Sequence, residues 1–300
     1  METIGFVGVG RIGSGMAQNI QNAGYAMVVH DAREEATRQL LEGGARLGSS
    51  PAEVAAQCDV TFTSLPGPKQ VEEVVEGRDG ILEGIKEGHV YLDLSTCGPG
   101  LLRRLEPSFR QRGAHLMDTP VLSSPARARD RSLIVMAGGD REVFDRVHPI
   151  LDAFADKVIY TGELGTACIC KLVNNMMSFA TQQLLAEGLT LGLKAGVDLD
   201  VLMDTGSRGL LGTRNEVLSQ TVFQGQFQPP SFTLALALKD VALATELGRE
   251  NNVPMPMASL AEQIFRQGVN RGWAEDDYTS AVQLQEEAAG MPVRSSEKGS

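Results

Sequence analysis

The chain has 300 residues, 42% apolar and 22% charged, an ordinary balance for a globular protein with a sizeable core and length for about two domains. Acids outnumber bases 38 to 27 for a net charge of −11, so no basic face is available to displace counterions from a nucleic-acid backbone. No apolar run approaches the length of a membrane span, and the first residues enter a strand pattern directly; we expect no signal peptide, no membrane partner and a cytoplasmic location.

Thr3 to Val7 is a short apolar run, followed at once by Gly8-Val9-Gly10-Arg11-Ile12-Gly13 and a helical stretch to Ala23. A second apolar run, Ala26 to Val29, ends at His30-Asp31. Each part has a job in binding a dinucleotide. Gly8 allows the tight turn, Gly10 lets the backbone approach a pyrophosphate, and Gly13 lets the helix pack close to the strand. The helix start offers free N–H groups to the phosphates, and Asp31 stands where a carboxylate bonds the adenosine ribose hydroxyls. A plain glycine-rich turn would leave the position of the acid unexplained.

Further strand-like runs are Asp59–Leu65, Val90–Leu94, Ala114–Met117, Leu133–Ala137 and Val158–Tyr160, with helical patterns between several of them. That alternation predicts a mostly parallel sheet covered on both faces. In such sheets residues just after strands carry function, here Asp31, Leu65-Pro66, Ser95-Thr96 and the run after Asp118. After Gly162 the strand signals stop. Ala167 to Leu193 reads as one long helix, followed by helical patterns at Leu199–Thr205, Leu211–Thr221, Leu234–Glu250, Pro256–Val269 and Ala274–Ala289. The expected architecture is α/β: an N-terminal Rossmann-type doubly wound sheet over 1–162, and an all-α C-terminal domain over 163–290 joined to it by the long helix. A disordered tail is expected over 291–300.

Cys58, Cys97, Cys168 and Cys170 include one C-x-C pair, but no matching Cys or His pair stands nearby, so free thiols are expected rather than a metal site. The histidines, His30, His89, His115 and His148, are poorly placed for acid–base work and read as surface or structural groups. The long helix offers something better. Lys171, Asn174, Asn175 and Ser178 fall at i, i+3, i+4 and i+7, one polar stripe among Ile169, Leu172, Val173, Met176, Met177 and Phe179. Solvated faces usually carry Glu, Lys, Arg and Gln, whereas Asn and Ser are mediocre helix formers, so the stripe reads as the wall of a polar pocket. A lysine kept dry there is penalised as an ammonium and is suited to exchange a hydroxyl proton, with Asn175 one turn along.

At this point the pattern resembles the β-hydroxyacid dehydrogenases, over nearly the whole chain from Ile4 to about Met291. Four blocks carry the resemblance: the glycine turn with Asp31; Asp118-Thr119-Pro120-Val121; Gly162-x-x-Gly165 leading to Lys171-Leu172-Val173-Asn174-Asn175; and Lys239-Asp240. The resemblance implies that Lys171 is the catalytic acid/base supported by Asn175. It also implies that Leu65, Pro66 and Thr96 line the nicotinamide side and that Lys239 contacts cofactor or substrate. Taken alone, Lys239 reads as a surface lysine and Thr96 equally as a helix cap.

One departure matters. The family's Ser-Gly-Gly after Asp-x-Pro-Val, which binds the substrate carboxylate, is replaced by Leu122-Ser123-Ser124-Pro125. Ser123 and Ser124 are expected to supply hydroxyls instead, and Arg127 and Arg129 are either an anion clamp or ordinary surface arginines. The 3-sulfolactaldehyde reductases of the family also break this pattern, with an arginine where this chain has Ser123.

Asp31 would repel a 2′-phosphate, so NAD is expected over NADP, a preference that Arg33 softens. The expected enzyme is an NAD(P)-dependent dehydrogenase or reductase of a small anionic β-hydroxy acid and its semialdehyde, with Leu122, Ser123, Ser124, Asn174 and Ser178 around the substrate. By the same resemblance it is a homodimer or homotetramer. The alternatives are an imine reductase on the same architecture, and an NAD-binding sensor or scaffold with a degenerate substrate pocket.

Overall fold

A computed structural model of the chain describes residues 2–122 and 124–295. It divides into two compact units after Leu172.

The first unit is a nine-stranded sheet of β1 (Thr3–Val7), β2 (Ala26–His30), β3 (Arg46–Leu47), β4 (Val60–Thr63), β5 (Val90–Asp93), β6 (His115–Asp118), β7 (Val121–Leu122), β8 (Leu133–Gly138) and β9 (Ala155–Gly162). The strand order is β3-β2-β1-β4-β5-β6-β8-β7, with β9 also paired to β8. From β3 to β6 every pairing is parallel; β8 runs antiparallel to β6 and β7. The two-residue strands β3 and β7 are too short to announce themselves in the sequence. Helices cover both faces, so β4 and β5 are buried along their whole length. One face packs Ile4, Phe6, Phe62 and Leu92 against Met16 and Ile20 of the helix Gly13–Asn22. The other packs Tyr91 and Leu116 against Val71, Val75, Leu105 and Phe109, with Tyr91 stacked on Phe109 at 5.2 Å. The chain leaves β1 first toward β2 and β3 and then returns to β4 on the other side. This reversal opens a crevice beyond the carboxyl ends of β1 and β4, where ligands bind in such sheets.

His89, which precedes β5, is a core residue at 2% exposure, with Nδ1 3.2 Å from the Cys58 carbonyl. Burial lowers its pKa from 6.5 to about 4. The unfolded chain therefore binds a proton between these values that the fold refuses. The resulting stabilisation is complete above pH 6.5 and is lost as the pH falls toward 4, to a total of about 3 kcal/mol. Urea midpoints at pH 7 and pH 4.5 should fall further for the wild type than for His89→Gln; equal falls would rule out this source of acid sensitivity.

The second unit is helical. The long helix, Thr166–Lys194, crosses the boundary between the units. It is followed by Leu199–Thr205, Leu210–Gln220, Leu234–Glu250, Pro256–Gly268 and Val282–Ala289. Phe179 of the long helix packs with Leu234, Val241, Phe265 and Tyr278, while Ala186 and Leu189 pack with Leu199, Leu218 and Phe223. Serving two cores, the helix carries apolar residues around much of its circumference.

Two expectations are corrected here. The stretch 274–289 is not one helix. Gly272 takes φ 91°, and Asp277 then caps the 3-10 turn Tyr278–Ala281 through the Thr279 N–H before the helix Val282–Ala289 begins. Part of the expected tail is built into the fold: Val293 is fully buried, its N–H donates to Glu286 at 2.9 Å, and Arg294 pairs with the same carboxylate. Residues 296–300 lie outside the described residues. By packing, the two units part after Leu172, inside the long helix that joins them. No described helix is long and apolar enough to cross a membrane.

Candidate functional site

The glycine turn is locked by contacts that admit no side chain. Gly8 has φ 89° and donates its N–H to the His30 carbonyl at 2.9 Å. A Cβ on Gly8 would lie 2.5 Å from the Ser64 carbonyl oxygen, and one on Gly13 would lie 2.1 Å from that of Gly8. Gly10 is different. A Cβ there would meet only the Arg33 guanidinium at 3.9 Å, so its backbone borders open space, as close approach of a pyrophosphate requires. Ile12 packs against the core below. Asp31 closes the turn: Oδ2 accepts the Val9 N–H and Oδ1 the Arg33 N–H, both at 2.9 Å. Beside it is a cavity of about 390 Å³ lined by Gly10, Arg11, Ser14, Arg33 and Arg38 among others. These residues fit a dinucleotide: a glycine-faced turn, a helix start with no side-chain cap, and a carboxylate at the end of the next strand.

At the ends of β4 and β5, Leu65 donates its N–H to Ser95 Oγ at 2.9 Å, and Ser95 in turn donates its N–H to Asp93 at 3.0 Å. Thr63 also donates to Asp93, at 2.8 Å. Asp93 is fully buried, which pushes its carboxyl above the usual range. Pro66 is exposed and Thr96 half-buried. The cap position of the helix Pro99–Arg110 is held by Gly98, so the alternative that Thr96 caps it does not hold.

Asp118, first residue of the second block, holds the start of the long helix with its carboxylate. Oδ1 accepts the Gly165 N–H at 2.8 Å and Oδ2 the Cys168 N–H at 2.7 Å. Gly138 must lack a side chain, because a Cβ there would lie 2.5 Å from Asp118 Oδ1. One turn on, Lys171 is 8% exposed, and its Nζ donates to the Val121 carbonyl at 2.8 Å. The ammonium is thus held at Val121, on β7. Leu122 is in β7, opposite Ile134. Ser124 accepts the Arg127 N–H at 3.3 Å and caps the helix Pro125–Arg129, while Arg127 and Arg129 are exposed. Ser123 lies outside the described residues.

In the second unit, Asn175 is 7% exposed and donates Nδ2 to Asp240 Oδ2 at 2.7 Å. Asp240 is fully buried, and Lys239 Nζ lies 3.0 Å from its other oxygen, an ion pair not aligned as a hydrogen bond. Asn174 is exposed and donates to Asn175 Oδ1 at 3.2 Å. Ser178 Oγ accepts from Arg214 at 2.9 Å, and the Arg214 guanidinium acts electrostatically on the buried Tyr278 phenol. Val173 and Met177 are exposed beside this stripe rather than packed. Sequence reasoning missed Arg214 and Tyr278 altogether. It quoted Asp240 only as the neighbour of Lys239, although an acid in the apolar helix Leu234–Glu250 was a usable signal.

Cys58, Cys97 and Cys168 are buried and Cys170 is exposed. Burial pushes the Cys58 thiol up to about 12 and that of Cys168 well above its ordinary range, which keeps both thiols protonated. Among the described residues no group of three His, Cys, Asp or Glu side chains is placed to hold a metal.

A family model described as the NAD binding domain of 6-phosphogluconate dehydrogenase matches residues 3–162. A second, described as the NAD-binding of NADP-dependent 3-hydroxyisobutyrate dehydrogenase, matches residues 165–285. The chain is 32% identical to the mitochondrial 3-hydroxyisobutyrate dehydrogenase of Mus musculus, covering 95% of this chain and 87% of that protein. It is 30% identical to the 2-(hydroxymethyl)glutarate dehydrogenase of Eubacterium barkeri, covering 97% of each. It is 32% identical over 92% of its length to the cytokine-like nuclear factor N-PAC of Gallus gallus, of which it spans only 50%. Among solved structures, Mycobacterium tuberculosis 3-hydroxyisobutyrate dehydrogenase with L-serine superimposes with a TM-score of 0.84 at 25% identity, over 95% of this chain and 99% of that one.

Proposed function

We propose that Lys171 carries the proton in the reaction of this chain, which belongs to the β-hydroxyacid dehydrogenase family and is an NAD(P)-dependent oxidoreductase acting on a CH–OH group. A bound nicotinamide supplies the hydride acceptor or donor. The chain's own residues do the rest. Gly8, Gly10, Arg11, Ile12 and Gly13 hold the pyrophosphate, Asp31 the adenosine ribose, and Leu65, Pro66 and Thr96 the nicotinamide side. In the oxidation, Lys171 as an amine takes the hydroxyl proton; in the reduction it returns that proton. The observation that carries this reading is the burial of Lys171, 8% exposed, with its Nζ fixed by a 2.8 Å bond to the Val121 carbonyl, just past the strands where such sheets bind their ligands. Asn175, held by Asp240, steadies the substrate oxygen, and Lys239, paired with the same carboxylate, reaches the cofactor.

The substrate in this reading is a small β-hydroxy acid or its semialdehyde, bounded by Leu122, Ser123, Ser124, Asn174 and Ser178. The compounds named in the two dehydrogenase relatives share one group, a hydroxymethyl on the carbon that bears a carboxylate. NAD is the favoured cofactor because Asp31 opposes a 2′-phosphate. Arg11, Arg33 and Arg38 around the adjoining cavity make NADP a weaker second. Self-association belongs to the same reading: Leu184 and Leu191 of the long helix are 58% and 72% exposed.

The test is a panel. Cofactor reduction is followed with 3-hydroxyisobutyrate and 2-(hydroxymethyl)glutarate. Cofactor oxidation is followed with malonic, methylmalonic, tartronic and succinic semialdehydes and a cyclic imine. Turnover of an acid or semialdehyde, faster with NAD(H) than with NADP(H), is expected. Turnover of the imine alone would make the chain an imine reductase. Firm NAD binding without turnover of any compound would make it a sensor.

A further inference from the structure

Arg214 has no place in the reading above. It sits half-buried on the helix Leu210–Gln220, away from the glycine turn and from Lys239 in sequence. Its side chain is not adrift: it donates to Ser178 Oγ at 2.9 Å and lies near Tyr278, a phenol only 7% exposed and T-stacked on Phe179. Both groups are neutral. Among the described residues, the ion pairs of the second unit are Lys239–Asp240, Arg266–Glu262, Arg271–Glu287 and Arg294–Glu286, none of which includes Arg214. A guanidinium oriented by a neutral hydroxyl beside a neutral phenol, and in none of these ion pairs, is built to meet a negative charge from outside the protein.

The surroundings agree. Ser178 is the last member of the stripe that begins at Lys171, on one face of one continuous helix. One turn further along that face, Gln182 is 1% exposed, and neither its amide nitrogen nor its amide oxygen has a protein partner. Leaving such a group unpaired costs about 1–3 kcal/mol, which argues for a polar occupant nearby. In a chain of net charge −11, an anionic substrate also needs a local cation.

We infer that Arg214, with Ser178 and Asn174, seats a second carboxylate of the substrate, so that the preferred substrate is a β-hydroxy diacid rather than a monoacid. The inference rests on the reading of the stripe as a substrate wall. The fork of Arg214 matches a carboxylate in two-point contact, and the Ser178 hydroxyl that now accepts from Arg214 can turn its own hydrogen to the anion. The role is one of specificity: the second carboxylate lies on the substituent and not at the carbon that exchanges hydride.

Two compounds isolate it. 2-(Hydroxymethyl)glutarate and 3-hydroxyisobutyrate share the reacting group and differ in the substituent, a carboxyethyl arm against a methyl. The wild type is expected to show the higher kcat/KM with the diacid. Arg214→Met should lower kcat/KM for the diacid by roughly 10- to 100-fold through KM, the size expected for one charge-assisted contact, and leave the monoacid within about twofold. Arg214→Lys should recover part of the loss. Equal losses on both compounds, or no loss on either, would overturn the inference. Calorimetric titration of the free protein with glutarate gives a second readout that needs no turnover: binding at least tenfold weaker in Arg214→Met supports the seat, and unchanged or absent binding in the wild type refutes it. Should the wild type turn over neither compound, the catalytic reading fails while this titration still decides the seat.

Discussion

Lys171→Ala is expected to lower kcat by a factor above ~100, the loss that follows removal of a positioned acid/base, while leaving NAD(H) binding nearly intact. The two effects separate because the glycine turn and Asp31 are built from β1, β2 and the helix between them, whereas Lys171 is anchored to the Val121 carbonyl on β7. The variant also loses the bond to the Val121 carbonyl, which costs about 1 kcal/mol of stability and leaves a carbonyl for water to satisfy. A small fall in melting temperature is therefore expected and does not explain a hundredfold fall in rate. Lys171→Arg keeps a cation but cannot act as a base near neutral pH, so it should bind cofactor and remain nearly inactive. Titrating NADH fluorescence and measuring kcat on the same preparations tests the pair. Full activity in Lys171→Ala would remove Lys171 from the chemistry. A loss of NADH binding that matched the loss of rate would show the residue to be structural.

What the sequence disclosed depended on range. The glycine turn, the helix behind it and Asp31 lie within one short strand–helix–strand segment, so their spacing alone points to a dinucleotide. The long helix was legible to within a residue at each end because nothing inside it breaks the pattern. The stretch 274–289 misled because helix propensity is local, whereas the break depends on Gly272 at φ 91° and on Asp277, whose carboxylate also binds Ser231 far back in the chain. Val293 read as tail because its burial depends on a bond to Glu286 that no composition rule contains. The motif that begins at Asp118 was legible, but the work of its carboxylate was not. Its partners, Gly165 and Cys168, are about fifty residues away, and only the fold brings them to it. Arg214 gave no signal, since an arginine on a polar helix is the commonest kind of surface residue; its meaning lies in Ser178 and Tyr278.

The glycine turn yields the other large effect, because its three glycines are there for different reasons. Gly13→Ala should abolish cofactor binding by deforming the turn. The added Cβ would lie 2.1 Å from the Gly8 carbonyl oxygen, a backbone atom that no rotamer change can move. Relief requires the helix Gly13–Asn22 to lift from β1, which would part Met16 and Ile20 from Phe6 and Phe62. A cost of about 3 kcal/mol or more follows, at or beyond the upper end for overpacked sites. Gly10→Ala makes the contrast. Its backbone does not need a positive φ, and the new methyl meets only the Arg33 guanidinium at 3.9 Å, so the fold should melt within a few degrees of the wild type. The methyl would nevertheless stand where a pyrophosphate approaches the backbone, and NADH affinity should fall by at least tenfold, about 1.4 kcal/mol. Thermal melts and NADH titrations of both variants separate the two roles. Unchanged NADH affinity in Gly10→Ala would mean that the cofactor does not pass over this turn. The cavity beside Asp31, with Arg11, Arg33 and Arg38 around it, would then need a different ligand.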